Sequence, residues 1–214
     1  MLKNVGDRDR EEDLRGQVPD KAATALLLID VINDLEFEGG AQILKPASRM
    51  AAELVKLKRA AELTGIPAIY VNDNFGHWQS NFDLLIEQYL ASDVRGGEII
   101  RRLIPTRQDY HVLKPSSSGF YATPLEVLLQ HLRARRLIIT GLTTDQCVMF
   151  TAIDAYTRGY ELVVPCDGAA AIRREDHDSA IQYIGRVLKA DVRHWQESTL
   201  ANVRGRQSSQ GLTH

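Results

Sequence analysis

A chain of 214 residues, 44% hydrophobic and 25% charged, is long enough to bury the core of one domain and has the make-up of a soluble globular protein. A net charge of -2 without a basic stripe argues against nucleic acid as the main partner; Arg133, Arg135 and Arg136 cluster, but they read as a solvated helix end. Two cysteines make no disulfide framework, so a reducing, cytoplasmic setting is expected, and no apolar run has signal-peptide or membrane-spanning length.

Residues 1–20 are charged and poor in apolar side chains, which reads as an arm ahead of a single domain over residues 21–200. Ala25 to Ile29 is a continuous apolar run, the pattern of a strand buried on both faces, and it ends on Asp30. A loop carrying Phe37 follows. Ser48 then caps a long helix with Met50, Leu54, Leu57 and Ala61 on one stripe, stopped by Gly65. Ile66 to Val71 is the second strand. After it, Asn72 to Asn81 forms a polar and aromatic loop with Phe75, His77 and Trp78. Phe82 to Leu90 is a helix, and Ser92 to Gln108 is a connector. His111 to Leu113 is a third strand, ending on Lys114. Thr123 caps a helix with Pro124 in its first turn.

The stretch from Arg136 to Pro165 is the centre of the chain. Leu137 to Thr140 is a buried strand ended by Gly141, and Thr143, Thr144 and Asp145 supply the cap of a helix. Val148, Thr151, Ala152 and Ala155 fall on that helix's buried face; Gly159 closes it, and Leu162 to Val164 is the next strand. Cys147 sits in the first helical turn, where unpaired amides and the helix dipole favour thiolate over thiol. Asp176 begins a further helix, Asp191-Val192 an edge strand, and residues 201–214 form a tail.

Strand and helix alternate throughout, which argues for an α/β fold: an open, doubly wound, mostly parallel sheet with helices on both faces. Ligands bind such sheets beyond the carboxyl ends of the strands, where Asp30, Lys114 and Cys147 all fall. A carboxylate, an ammonium and a thiol together can hydrolyse an amide. Asp30 takes the thiol proton, Lys114 holds both partners, and the backbone N–H groups of Thr143 and Cys147 receive the oxyanion. A thioester forms and water cleaves it.

In the segments ALLLIDVINDLEF, LKPSSSGFYATPLEVLL and ITGLTTDQCVMFTAIDAYTRGYELVVPCDGAA the chain resembles the isochorismatase-like cysteine hydrolases, which include nicotinamidases and N-carbamoylsarcosine amidohydrolases. The resemblance runs over roughly residues 24–192 and implies a three-layer α/β/α fold around a six-stranded parallel sheet, assembled as a homodimer or homotetramer. It implies Asp30 as base, Lys114 as the lysine, Cys147 as nucleophile and a cis peptide at Leu142–Thr143. Ile32 stands where many members have glutamine. The metal-binding Asp-x-His pattern of nicotinamidases is represented by NDNFGHW with His77 alone, so no metal and no cofactor is expected. True isochorismatases lack the cysteine, so Cys147 favours amide or carbamoyl hydrolysis.

Phe37, Asn72, Phe75, His77, Trp78, Phe120 and Tyr121 lie on loops expected to rim a pocket for a small, partly apolar substrate. Cys166 reads as an inert buried thiol, and Asp34, Asp145 and Asp167 as structural caps. Competing readings are an isochorismatase-type hydrolase of another small metabolite, a catalytically silent scaffold, and a nucleotide-binding module. The last lacks support, since no strand is followed by a glycine-rich phosphate loop.

Overall fold

A computed structural model describes residues 21–74 and 82–198. The N-terminal arm at 1–20, the tail at 201–214, and Phe75, His77 and Trp78 lie outside the described residues. In chain order the elements are β1 (Thr24–Ile29), α1 (Gly40–Leu63), β2 (Ala68–Asp73), α2 (Phe82–Ala91), α3 (Gly97–Arg102), β3 (Tyr110–Lys114), α4 (Leu125–Leu132) and β4 (Arg136–Leu142). A π-helical turn (Thr144–Val148) then leads into α5 (Met149–Thr157), β5 (Glu161–Val163), β6 (Ala169–Ala170) and α6 (Arg174–Val187).

The strands form one six-stranded parallel sheet in the order β3-β2-β1-β4-β5, with β6 paired to the end of β4. Period-two alternation between two buried faces explains why β1 is apolar from Ala25 to Ile29. Leu26 and Leu28 enter the core on one face, while Ala25, Leu27 and Ile29 enter the core on the other. The first core is covered by α1, α2 and α3 and the second by α4, α5 and α6, which makes three layers. Each fully buried Leu or Ile contributes about 1.5–3 kcal/mol, so a strand enclosed on both sides anchors the sheet.

Several local expectations change. The first long helix begins at Gly40 rather than at Ser48, whose Oγ donates back to Leu44 O at 2.7 Å inside the helix. Pro46 removes one ladder bond there, but the buried stripe from Ile43 to Ala61 outweighs it. The 92–108 connector contains α3, because Ile99 and Ile100 are buried against the first core. The expected edge strand at Asp191 is reduced to a single bridge with Val163.

The chain builds β1, β2 and β3 outward on one side, then crosses to β4 on the other. The switch point therefore lies between β1 and β4, the place where an open α/β sheet leaves a crevice. Gly141 makes the close approach there possible. Its φ is +113°, and a Cβ would stand 2.0 Å from the carbonyl oxygen of Ile29, its register partner. It lies inside β4 rather than ending it.

Candidate active site

Four strand ends converge at this crevice. Asp30 follows β1 with a φ of 50°, a left-handed conformation that aspartate tolerates better than most residues and that concentrates at functional sites. Its backbone N–H donates to Val71 O at 3.0 Å, and its Oδ1 accepts the Asp73 N–H at 2.7 Å. Lys114, the last residue of β3, is fully buried. Such a cation survives out of water only with anionic partners, and it has them: Nζ lies 2.9 Å from Asp30 Oδ2 and 3.4 Å from Asp73 Oδ2. The same Nζ lies 3.5 Å from Cys147 Sγ. Asp30 and Cys147 are also electrostatically coupled, each acting on the other's pKa, so the three residues form one cluster around Nζ.

Cys147 is the fourth residue of the π-helical turn and is half-buried. Val148, Thr151, Ala152 and Ala155 are all buried beneath it, as the helical spacing predicts. The Leu142–Thr143 peptide, the bond that the resemblance implies to be cis, is cis. Thr143 holds the cap position in extended conformation, but its hydroxyl makes no capping bond, and among the described residues Thr143 Oγ1 and Asp145 Oδ1 are buried without a hydrogen-bond partner. Thr144 instead ties the turn to α6, its Oγ1 standing 2.8 Å from His177 Nδ1.

The electrostatics reverse one expectation. Burial and then the Asp30 charge push the Cys147 thiol up to about 12, and the nearby ammonium only partly offsets them. The helix start therefore does not make a resting thiolate. Burial also pushes the Asp30 carboxyl up, against the pull of Lys114. Burial disfavours the Lys114 ammonium, but Asp30 and Cys147 outweigh it and hold its pKa above the ordinary lysine value. The resting site is a thiol beside a carboxylate of enhanced basicity and a fixed ammonium. Such a set can take a proton from sulfur as the sulfur attacks.

Of the expected rim residues, Phe37 and Tyr121 are exposed. Asn72 is instead wholly enclosed: its Nδ2 donates to Ile32 O at 2.7 Å, which fastens the loop after β1. Phe120 is buried under the Arg158 guanidinium, 4.7 Å from the ring centroid. Cys166 is half-buried rather than enclosed.

Asp73 is the residue that the sequence reading passes over. It ends β2 as Asp30 follows β1 and as Lys114 ends β3, and that shared position was its signal. No helix among the described residues is long and apolar enough to cross a membrane.

The isochorismatase domain family matches residues 24–196. An uncharacterized isochorismatase family protein, YaaI of Bacillus subtilis, is 38% identical over 80% of this chain and 94% of its own length. Among solved structures, the nicotinamidase PncA of Bacillus subtilis superposes with a TM-score of 0.64 at 25% identity, covering 81% of this chain and 100% of that one. The N-carbamoylsarcosine amidase of Thermoplasma acidophilum gives a TM-score of 0.62 at 26% identity, covering 83% and 99%.

Proposed function

The chain belongs to the isochorismatase family of hydrolases, and from that premise we propose that it cleaves a C–N bond of a small amide, carbamoyl or ureido compound through a Cys147 thioester. The observation that carries this reading is Lys114 Nζ standing between Asp30 Oδ2 at 2.9 Å and Cys147 Sγ at 3.5 Å.

In the first half-reaction Asp30 removes the Sγ proton as sulfur bonds to the substrate carbonyl carbon. Lys114 stays protonated and stabilises the shifting negative charge. The oxyanion faces the backbone N–H groups of Thr143 and Cys147. Collapse breaks the C–N bond, and the leaving nitrogen takes the proton from Asp30. In the second half-reaction Asp30 deprotonates a water that attacks the thioester, and its proton returns to sulfur as the acid leaves.

The amidase relatives support the bond type. The lone His77 argues against a nicotinamidase-type metal, so a carbamoyl or ureido substrate is favoured over nicotinamide. Phe37 and Tyr121 remain the candidate rim contacts, and assembly as a homodimer or homotetramer belongs to the same proposal.

The test is mass spectrometry of the acid-quenched protein after incubation with a pool of small amides. A mass increment on the Cys147 peptide, absent in Cys147→Ala, is the expected result. Undiminished turnover in Cys147→Ala overturns the mechanism.

A further inference from the structure

Away from the triad, one loop presents a second set of reactive groups. Cys166 and Asp167 lie between β5 and β6, and His194 lies in the segment after α6. Among the described residues their ligand atoms, a thiol sulfur, a carboxylate oxygen and an imidazole nitrogen, all lie within 4.8 Å of one another. His194 Nδ1 is 3.2 Å from Asp167 Oδ2.

The two segments are clamped side by side. Val164 N donates to Asp191 O at 2.8 Å and Cys166 N to Val192 O at 3.2 Å, while Asp191 N donates to Leu162 O at 3.0 Å. Trp195 N donates to Asp167 Oδ1 at 3.0 Å, which leaves Oδ2 facing His194. Trp195 is itself buried, with its indole N–H on Glu53 Oε2 at 3.1 Å. Rigid backbone on both sides is what holds a ligand set in place. The three residues border a cavity of about 680 Å³ between α1 and the start of α6, also lined by Arg49, Glu53 and His177. His177 is committed elsewhere, to Thr144 and to the backbone of Cys166.

We propose that Cys166, Asp167 and His194 form a binding site for a borderline-soft divalent cation of the Zn²⁺ class, with a coordination position open to this cavity. Sulfur and imidazole nitrogen select Zn²⁺ or Co²⁺ over Mg²⁺ and Ca²⁺, which take oxygen ligands. Three protein ligands and an open fourth position match the tetrahedral preference of zinc. Ligand atoms around a zinc ion stand roughly 3.3–3.8 Å apart given bonds of 2.0–2.3 Å. The 4.8 Å bound exceeds that span by about 1 Å, so closure needs an inward movement of that size shared among the three side chains, of which His194 is the most exposed. On binding, the Cys166 S–H bond breaks, its proton goes to solvent, and a metal–sulfur bond forms without any redox change. The site shares no residue with the nicotinamidase-type pattern around His77; from sequence Cys166 reads as an inert thiol and Asp167 as a structural cap, and His194 carries no reading.

The test uses the untagged full chain, reduced and metal-free, titrated anaerobically with CoCl₂. The expected result is a thiolate-to-cobalt charge-transfer band at one equivalent, quenching of Trp195 fluorescence, and displacement of the cobalt by ZnCl₂. Cys166→Ser should abolish the band, and His194→Ala, a change on the surface that keeps the fold, should weaken Co²⁺ binding at least ~10-fold. Cys147→Ser should leave the band intact. A band lost with Cys147→Ser and kept with Cys166→Ser overturns the assignment, as does the absence of any band in the wild-type chain or undiminished binding by His194→Ala.

Discussion

Asp73 and Lys114 are register partners across β2 and β3, and their side chains remain in contact at 3.4 Å. Because the Asp73 backbone N–H also donates to Asp30, one residue touches both charged members of the cluster. The ammonium is divided between two carboxylates, and Asp30 keeps more of its basicity than it would as the sole partner. Asp73→Asn should concentrate Lys114 on Asp30 and lower the Asp30 pKa. The acid limb of the kcat/KM profile then moves to lower pH, and kcat falls roughly 10-fold through the weaker base, with KM little changed. A limb that stays in place would mean that Asp73 has no hold on the base.

The thiol and its neighbouring carboxylate give predictions of opposite sign for two readouts. With burial and Asp30 pushing Cys147 up to about 12, alkylation at neutral pH should be slow in the wild-type protein. Asp30→Asn removes the opposing charge while Lys114 keeps Asp73 as a partner. The Cys147 peptide should then alkylate at least ~10-fold faster, since one pKa unit is a factor of ten in thiolate. Hydrolysis should fall by about 10² or more for want of a base. Peptide mass spectrometry after iodoacetamide, set beside turnover, reads both; slower alkylation would contradict the charge assignment.

Gly141 carries a stability prediction. Alanine there meets the Ile29 carbonyl at 2.0 Å and takes a φ of +113°. The β1–β4 pair must spread, at a cost of about 3 kcal/mol or more. For a domain of this size that is a fall in Tm of roughly 6–12 °C. Differential scanning calorimetry measures it, and a shift under about 2 °C would refute the close-approach argument.

His177 sets a pH dependence. Burial lowers its pKa below the ordinary 6.5, and the ring is engaged by Thr144. The unfolded chain takes up the proton first as pH falls, so the contribution is complete above about pH 6.5 and is lost as pH drops through the lowered folded pKa. The urea midpoint should be lower at pH 5 than at pH 7.5, and His177→Asn should shrink that difference. An equal difference in the variant would mean that other groups control it.

Much of this was legible without coordinates. The apolar run Ala25 to Ile29 and the stripe Val148, Thr151, Ala152 and Ala155 needed only period two and period 3.6, because burial imposes those periods on any sequence. The start of α1 is not legible, since Ser48 and Pro46 are ordinary punctuation marks that a strong buried stripe overrides. Asn72 read as a ligand contact because a polar residue after a strand has the same signature whether it faces a pocket or ties a loop.

Residue order alone determined the alternation of strand and helix, and with it the placing of Asp30, Lys114 and Cys147 at strand ends. Local composition carries that information. Three things needed the folded chain: Asp73 as the second carboxylate on Lys114, the direction of the Cys147 pKa, and the meeting of Cys166 and Asp167 with His194. Each depends on distance and burial between segments far apart in sequence, and electrostatic energy follows separation and solvent access rather than the order of residues along the chain.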